Sequence, residues 1–207
     1  MKKSQSQNNW LRRQEKDIYV KLSKVEGYRS RAAYKLLEIN KKFNIIKSGL
    51  KIVDLGSSPG GWTQVISKLQ KNKTIIIAID KVRMEPIPNC KFILDELENF
   101  LSKNTIIKKN SFDLILSDMA PSTTGHRFTD QAKSEKTCFM ALDFSLKYLA
   151  FNGNFVCKII RNPGEKDFLK ETKRNFNEVK LFKPGSSRKN SKENYMIALG
   201  FNNLHKV

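Results

Sequence analysis

Short apolar runs of strand length alternate with amphipathic stretches of helix length along nearly the whole chain, and no other feature restricts the fold as strongly. Ala32, Ala33, Leu36, Leu37, Ile39 and Phe43 recur at helical spacing, which predicts a helix over Arg31 to Phe43 with Ser30 as its N-cap and Lys35 at the edge of the apolar face. Lys47-Ser-Gly49 breaks the chain, and Lys51-Ile-Val-Asp-Leu55 reads as a strand ending in a glycine-containing turn. A helix follows from about Gly61 to Leu69, then strands over Thr74 to Ile79 and near Phe92, and a helix from about Leu97. Phe112 to Leu116 reads as a strand, Ala132 to Leu149 as a long helix, Asn154 to Ile160 as a strand and Glu165 to Phe176 as a helix. Glu178 to Phe182 and Tyr195 to Phe201 close the series as strands flanking the basic loop Lys183 to Lys192. Interleaving of this kind predicts the α/β class, with an open, mostly parallel sheet flanked by helices. Such sheets bind ligands beyond the carboxyl ends of their strands, at the switch point.

A chain of 207 residues, 39% of them hydrophobic, suits one domain. Residues 1–27 read as a basic tail and lead-in, with order expected from near Trp10, and residues 28–203 as the domain. No run approaches the roughly 18 apolar residues of a membrane span, and the polar, basic amino terminus lacks the apolar core of a signal peptide. A soluble, cytoplasmic protein is therefore expected, with a monomer as the default. Cys90, Cys138 and Cys157 form no CxxC pair and read as buried thiols, while His126 and His205 have no spacing that suggests a metal. No protein-bound metal is expected.

Lys and Arg outnumber Asp and Glu by 39 to 20, for a net charge of +19. A polyanionic partner explains this better than a lysine-rich, merely solvated surface, because the charge is clustered in residues 1–35 and again from Lys158 to Lys192. Arg29, Arg31, Lys183, Arg188 and Lys189 are the candidate phosphate contacts.

Asp54-Leu-Gly-Ser-Ser-Pro-Gly-Gly-Trp62 joins the first strand to its helix, where glycines let backbone N–H groups approach a ligand. The loop is neither GxGxxG nor a Walker A sequence, which argues against dinucleotide and NTPase chemistry, although it could also be an ordinary turn with a capping aspartate. Asp80, ending the second strand, is placed to accept hydrogen bonds from ribose hydroxyls, so an adenosine-containing cofactor is suggested. Asp118, in Ser117-Asp-Met-Ala-Pro121, faces the same crevice or merely caps a turn. An Asp/Asn-Pro-Pro-aromatic motif and a nucleophilic cysteine beside proline, the marks of base methylation, are both missing there. Lys158 stands among apolar neighbours in a strand, either as a functional amine or as an edge lysine guarding against aggregation. Trp62 packs near a ligand or simply fills core.

Taken together, Tyr28-Arg-Ser-Arg-Ala-Ala-Tyr-Lys-Leu36, the Asp54 to Trp62 loop, Ser117 to Pro121, Phe155-Val-Cys-Lys158 and Ser187-Arg188 followed by Glu193-Asn-Tyr195 resemble the FtsJ-like, or RrmJ-like, ribosomal RNA ribose 2′-O-methyltransferases. The resemblance covers nearly the whole chain and implies a single-domain, Rossmann-like S-adenosylmethionine-dependent methyltransferase fold. It implies a Lys-Asp-Lys-Glu tetrad at Lys35, Asp118, Lys158 and Glu193, and S-adenosyl-L-methionine contacts at Gly60, Trp62, Asp80, Asp95 and Asp118. The chain departs from the family pattern at Leu94-Asp95-Glu96, at Ser57-Ser58 and at Arg161-Asn-Pro163. The implied substrate is a uridine ribose in 23S rRNA of the large ribosomal subunit. Transfer RNA is the alternative within the family, a noncatalytic ribosome-assembly factor the alternative outside it, and an NAD-dependent Rossmann enzyme the rival that lacks its loop. Such chemistry needs an in-line attack and removal of a hydroxyl proton. A free lysine, of pKa about 10.4, is protonated at neutral pH, so a lysine base needs an environment that disfavours the ammonium.

Overall fold

The computed structural model describes residues 15–70, 75–103, 107–122, 124–162 and 164–202. The elements run α1 (Ile18–Val25), α2 (Ala32–Phe43), β1 (Ile52–Leu55), α3 (Gly61–Gln70), β2 (Ile76–Asp80), β3 (Cys90–Leu94) and α4 (Leu97–Lys103). They continue as β4 (Phe112–Ser117), α5 (Arg127–Tyr148), β5 (Leu149–Ile160), α6 (Glu165–Asn175), β6 (Phe176–Phe182) and β7 (Glu193–Phe201). The seven strands form one sheet in the order β3-β2-β1-β4-β5-β7-β6. Pairs from β3 across to β5 are parallel, whereas β7 runs antiparallel to both β5 and β6. Strand order reverses between β1 and β4, which places the switch point where the glycine loop and Asp118 emerge.

Both faces of the sheet are covered, as the near-continuous apolar strands require. Val53, Ile115, Phe155, Cys157 and Met196 pack with Leu142, Phe144 and Phe168 of α5 and α6. On the other face Ile52, Leu114, Val156, Tyr195 and Ile197 pack with Ala33, Leu36 and Ile39 of α2 and with Trp62 and Val65 of α3. At about 25 cal/mol per Å² of buried apolar surface, these two clusters supply most of the folding drive.

Several boundaries differ from the sequence reading. Ser30 does not cap α2 with its side chain; its hydroxyl lies against Gly61, where a β-carbon would come within 2.3 Å. Helix α5 begins at Arg127 rather than Ala132, because the Asp130 carboxylate gathers the Thr124 and Gly125 N–H groups and the Thr124 hydroxyl into an ordered first turn. Strand β5 begins at Leu149 rather than Asn154, with Asn152 in a left-handed conformation beside a register shift. Phe176 belongs to β6 and not to the helix before it. Cys138 and Cys157 are buried free thiols, but Cys90 is only half-buried. Thr74, the segment around Trp10 and His205 lie outside the described residues. Among the described residues no helix is long and apolar enough to cross a membrane.

Candidate active site

Strand register brings three polar side chains into line on an otherwise apolar sheet. Ser117 pairs with Cys157 and Lys158 with Tyr195, so Asp118, one residue past β4, stands level with Lys158 and Tyr195 on the two neighbouring strands. Alternation along β5 sends Phe155, Cys157 and Ile159 into one core, and Lys158 therefore points to the face that α2 covers. Helix α2 brings Lys35 to that face, and the first residue of β7 brings Glu193.

These four side chains form two ion pairs. Lys158 Nζ lies 3.1 Å from Asp118 Oδ1 and also donates to the Asp118 main-chain oxygen. Lys35 Nζ lies 2.7 Å from Glu193 Oε1 and 2.9 Å from Oε2. Tyr195 joins the pairs: its hydroxyl donates to Asp118 Oδ1 at 2.7 Å, and its ring centre is 5.7 Å from Lys35 Nζ. With side-chain exposures of 9% for Lys158 and 17% for Asp118, removal of either partner would leave a poorly hydrated charge. Burial alone would raise the Asp118 pKa, but the charges of Lys158 and Lys35 and the Tyr195 hydroxyl hold it below its ordinary value. Burial, with the Asp118 and Glu193 carboxylates, pushes the Tyr195 phenol well above its own, so it stays a hydrogen-bond donor.

Beside the tetrad opens a cleft of about 580 Å³ whose walls include Gly56, Ser58, Asp80, Asp95, Asp118 and Met140. The Asp80 carboxylate accepts the N–H groups of Ser58 at 2.9 Å and Val82 at 2.8 Å, which locks the glycine loop to the end of β2. Gly56 has φ +72°, and a β-carbon on it would meet Met119 Cγ at 2.4 Å, so the glycine lets the β1 and β4 loops touch.

The structure brings Asp80, Asp95 and Asp118 to the cleft, but not the Trp62 side chain or Gly60. The Trp62 indole is 3% exposed, donates to the Ala32 carbonyl at 2.8 Å and packs 5.7 Å from the Tyr195 ring, so it braces Tyr195 from behind. Gly60 holds the loop closed, its N–H bonded to the Ser57 carbonyl at 2.7 Å, and a β-carbon on it would come within 3 Å of Ile87 and Arg29. Tyr195 is the residue that sequence reasoning left without a role. Its signal was its place two residues after Glu193 in a strand, which puts both side chains on one face.

Three expected phosphate contacts are instead committed to the scaffold. Arg29 donates to the carbonyls of Pro59, Glu85 and Pro86, Arg31 pairs with Asp17 and the Ser186 carbonyl, and Lys183 donates to the carbonyls of Lys189 and Ser191. Arg188 reaches Asp17 at 3.4 Å but stays partly exposed, and Lys189 is exposed. Among the described residues no group of three or more His, Cys, Asp or Glu could hold a metal.

An open, mostly parallel sheet with a cleft at its switch point, and beside it a polar tetrad that shares Asp118 with that cleft, is the arrangement of an α/β enzyme. The chain belongs to the FtsJ-like methyltransferase family, whose model matches residues 28–201. It is 46% identical to the ribosomal RNA large subunit methyltransferase E of Rickettsia bellii, over 96% of this chain and 90% of that protein. Its identity to the methyltransferase of the same name from Anaplasma phagocytophilum is 45%, over 95% of this chain and 81% of that one. Among solved structures, a ribosomal RNA methyltransferase from Plasmodium falciparum superposes with a TM-score of 0.76 at 33% identity, covering 84% of this chain and 98% of that one.

Proposed function

We propose that this chain transfers a methyl group from S-adenosyl-L-methionine to the 2′-hydroxyl of a uridine ribose in large-subunit ribosomal RNA. The observation that carries the methyl donor is a local reversal of charge. In a chain of net charge +19, the cleft presents Asp80, Asp95, Glu96, Glu98 and Asp118 against only Lys81 and Lys133. A cationic sulfonium beside an adenosine suits that acidic lining, and the cleft volume is of the size that holds such a molecule. Asp80 would accept from the ribose hydroxyls and Asp95 would lie along the adenine side, while Asp118 would face the sulfonium from the tetrad. When bound, the donor supplies a methyl carbon already activated for attack.

The protein's part is then alignment and a proton. Lys158, in its neutral amine form, is the group that takes the proton from the ribose hydroxyl. Asp118, kept ionised, holds that amine by both its carboxylate and its main-chain oxygen. Lys35, held by Glu193, supplies a fixed positive charge where the ribose oxygen becomes negative. Cys138 and Cys157 are buried on the opposite face of the sheet, so neither serves the covalent route of C5 methylation. The large-subunit substrate is supported by the names of the relatives, and the basic surface suits any RNA.

The deciding experiment follows labelled methyl from S-adenosyl-L-methionine into large ribosomal subunits taken from cells lacking this protein, with mass-spectrometric mapping of the product nucleoside. A 2′-O-methylated uridine in 23S rRNA is expected. Label on transfer RNA alone would move the substrate, and label on no RNA would leave a noncatalytic assembly factor. Binding of NAD in place of S-adenosyl-L-methionine would overturn the cleft's assignment.

A further inference from the structure

The basic loop between β6 and β7 is held from three directions. Glu38 of α2 accepts the N–H of Gly185 at 2.5 Å and of Ser186 at 2.9 Å. Arg31 donates to the Ser186 carbonyl, and Asp17, at the start of α1, accepts from both Arg31 and Arg188. Surface loops usually leave such groups to water. Here the anchoring delivers one buried side chain, Ser187, whose hydroxyl donates to Glu193 Oε1 at 2.9 Å. That oxygen is the one 2.7 Å from Lys35 Nζ.

We propose that Ser187 is a positioning residue for methyl transfer, fixing the Glu193 carboxylate in the orientation where both of its oxygens bracket Lys35. The inference rests on the reading of Lys35, Asp118, Lys158 and Glu193 as the reaction centre. The terminal torsion of a glutamate is broad and nearly two-fold, so a carboxylate bonded only to a flexible lysine is free to turn. The Ser187 hydroxyl and the Lys35 ammonium reach it from different elements and so leave it a single setting. Ser187 sits one residue before Arg188, which ties the placement of Glu193 to the basic loop that also carries the exposed Lys189.

Ser186 provides a matched control. It lies in the same loop and is wholly buried, but its hydroxyl has no hydrogen-bond partner among the described residues. Single-turnover methyl transfer to large subunits is measured for the wild type, Ser187→Ala, Ser187→Thr, Ser186→Ala, Glu193→Ala and the double variant Ser187→Ala/Glu193→Ala, with thermal melting of each. The expected result is a loss of about tenfold in kcat for Ser187→Ala, the scale of one hydrogen bond to a charged group. The KM for the methyl donor and the melting temperature stay unchanged, threonine restores most of the rate, and Ser186→Ala is silent. In the Glu193→Ala background the serine substitution should cost nothing more, because its effect passes through the carboxylate. Full activity of Ser187→Ala, equal damage from Ser186→Ala, or additive losses in the double variant overturns the proposal. If the wild type methylates no RNA, the functional reading fails first and this inference falls with it; an active wild type with a silent Ser187→Ala removes this inference alone.

Discussion

Lys158 and Asp54 are both ionisable groups withdrawn from water, and they lead to different expectations. Lys158 is compensated by Asp118 and aimed at the reaction face, so Lys158→Ala should lower methyl transfer ~10²–10⁴-fold, the usual worth of a positioned proton acceptor. Donor binding, followed by calorimetry, should persist in that variant; near-normal turnover would take Lys158 out of the chemistry. Asp118→Ala should damage both donor binding and rate, since Asp118 belongs to the cleft and to the tetrad. Asp54 is wholly buried in β1, with Oδ2 accepting from the Thr63 hydroxyl at 2.6 Å and Oδ1 unpartnered among the described residues. Burial raises its pKa to about 7, opposed by the Thr63 hydrogen bond and reinforced by Asp118 and Asp80. The folded protein thus holds a proton that the unfolded chain releases at the ordinary value of 3.8, and stability contributed by that proton is lost as pH rises from about 4 through 7. At about 1.4 kcal/mol per tenfold change in proton affinity, the whole window amounts to ~4 kcal/mol at most. Asp54→Asn should flatten the fall, and denaturant titrations at pH 5 and pH 8 would reveal it; parallel pH profiles in the two proteins would refute a protonated Asp54.

At the level of elements, what could be read beforehand was whatever depends on local pattern. The strand-helix alternation, the glycine loop after β1 and a lysine out of place in β5 all follow from neighbouring residues, and the polar tetrad is assembled on them. Features that depend on distant partners were not legible. Arg127 to Gln131 have no apolar period, and only the Asp130 carboxylate reaching back to Thr124 and Gly125 extends α5 over them. For Tyr195 the spacing from Glu193 gives the shared face, but the antiparallel register of β7 on β5 that brings its hydroxyl to Asp118 is not announced by local sequence. Arg29 and Arg31 have the right charge for phosphate, but carbonyls and an aspartate from remote segments claim them. The loops after β1 and β4 offer a direct test, because Gly56→Ala places a methyl group 2.4 Å from Met119 Cγ in a left-handed backbone. The two loops must then separate, and donor affinity should fall at least about tenfold while the sheet still melts cooperatively. Unchanged affinity would mean that the loops do not need that contact.

On the scale of the whole molecule, an acid-lined cleft is set in a strongly cationic protein, and on the proposed reading donor and nucleic acid are drawn to different regions. The division among the arginines and lysines predicts which of them salt will probe. Lys189→Ala should weaken RNA binding and reduce the slope of log affinity against log salt by about one. Arg29→Ala should leave that slope alone and instead lower thermal stability by roughly 1–3 kcal/mol, as its three carbonyl partners lose their donor. Filter binding across a salt series, beside melting curves, separates the two effects. The reversed direction of β7 has a broader consequence. Because β6 and β7 run antiparallel, their connection is a hairpin tip, and it lies beside the tetrad, against α2 and Glu193. Hairpin tips tolerate insertion and exchange far better than the strands beneath them. This tip is anchored through Gly185, Ser186 and Ser187, so the freedom usual at such a place is left to its exposed residues, such as Lys189 and Asn190.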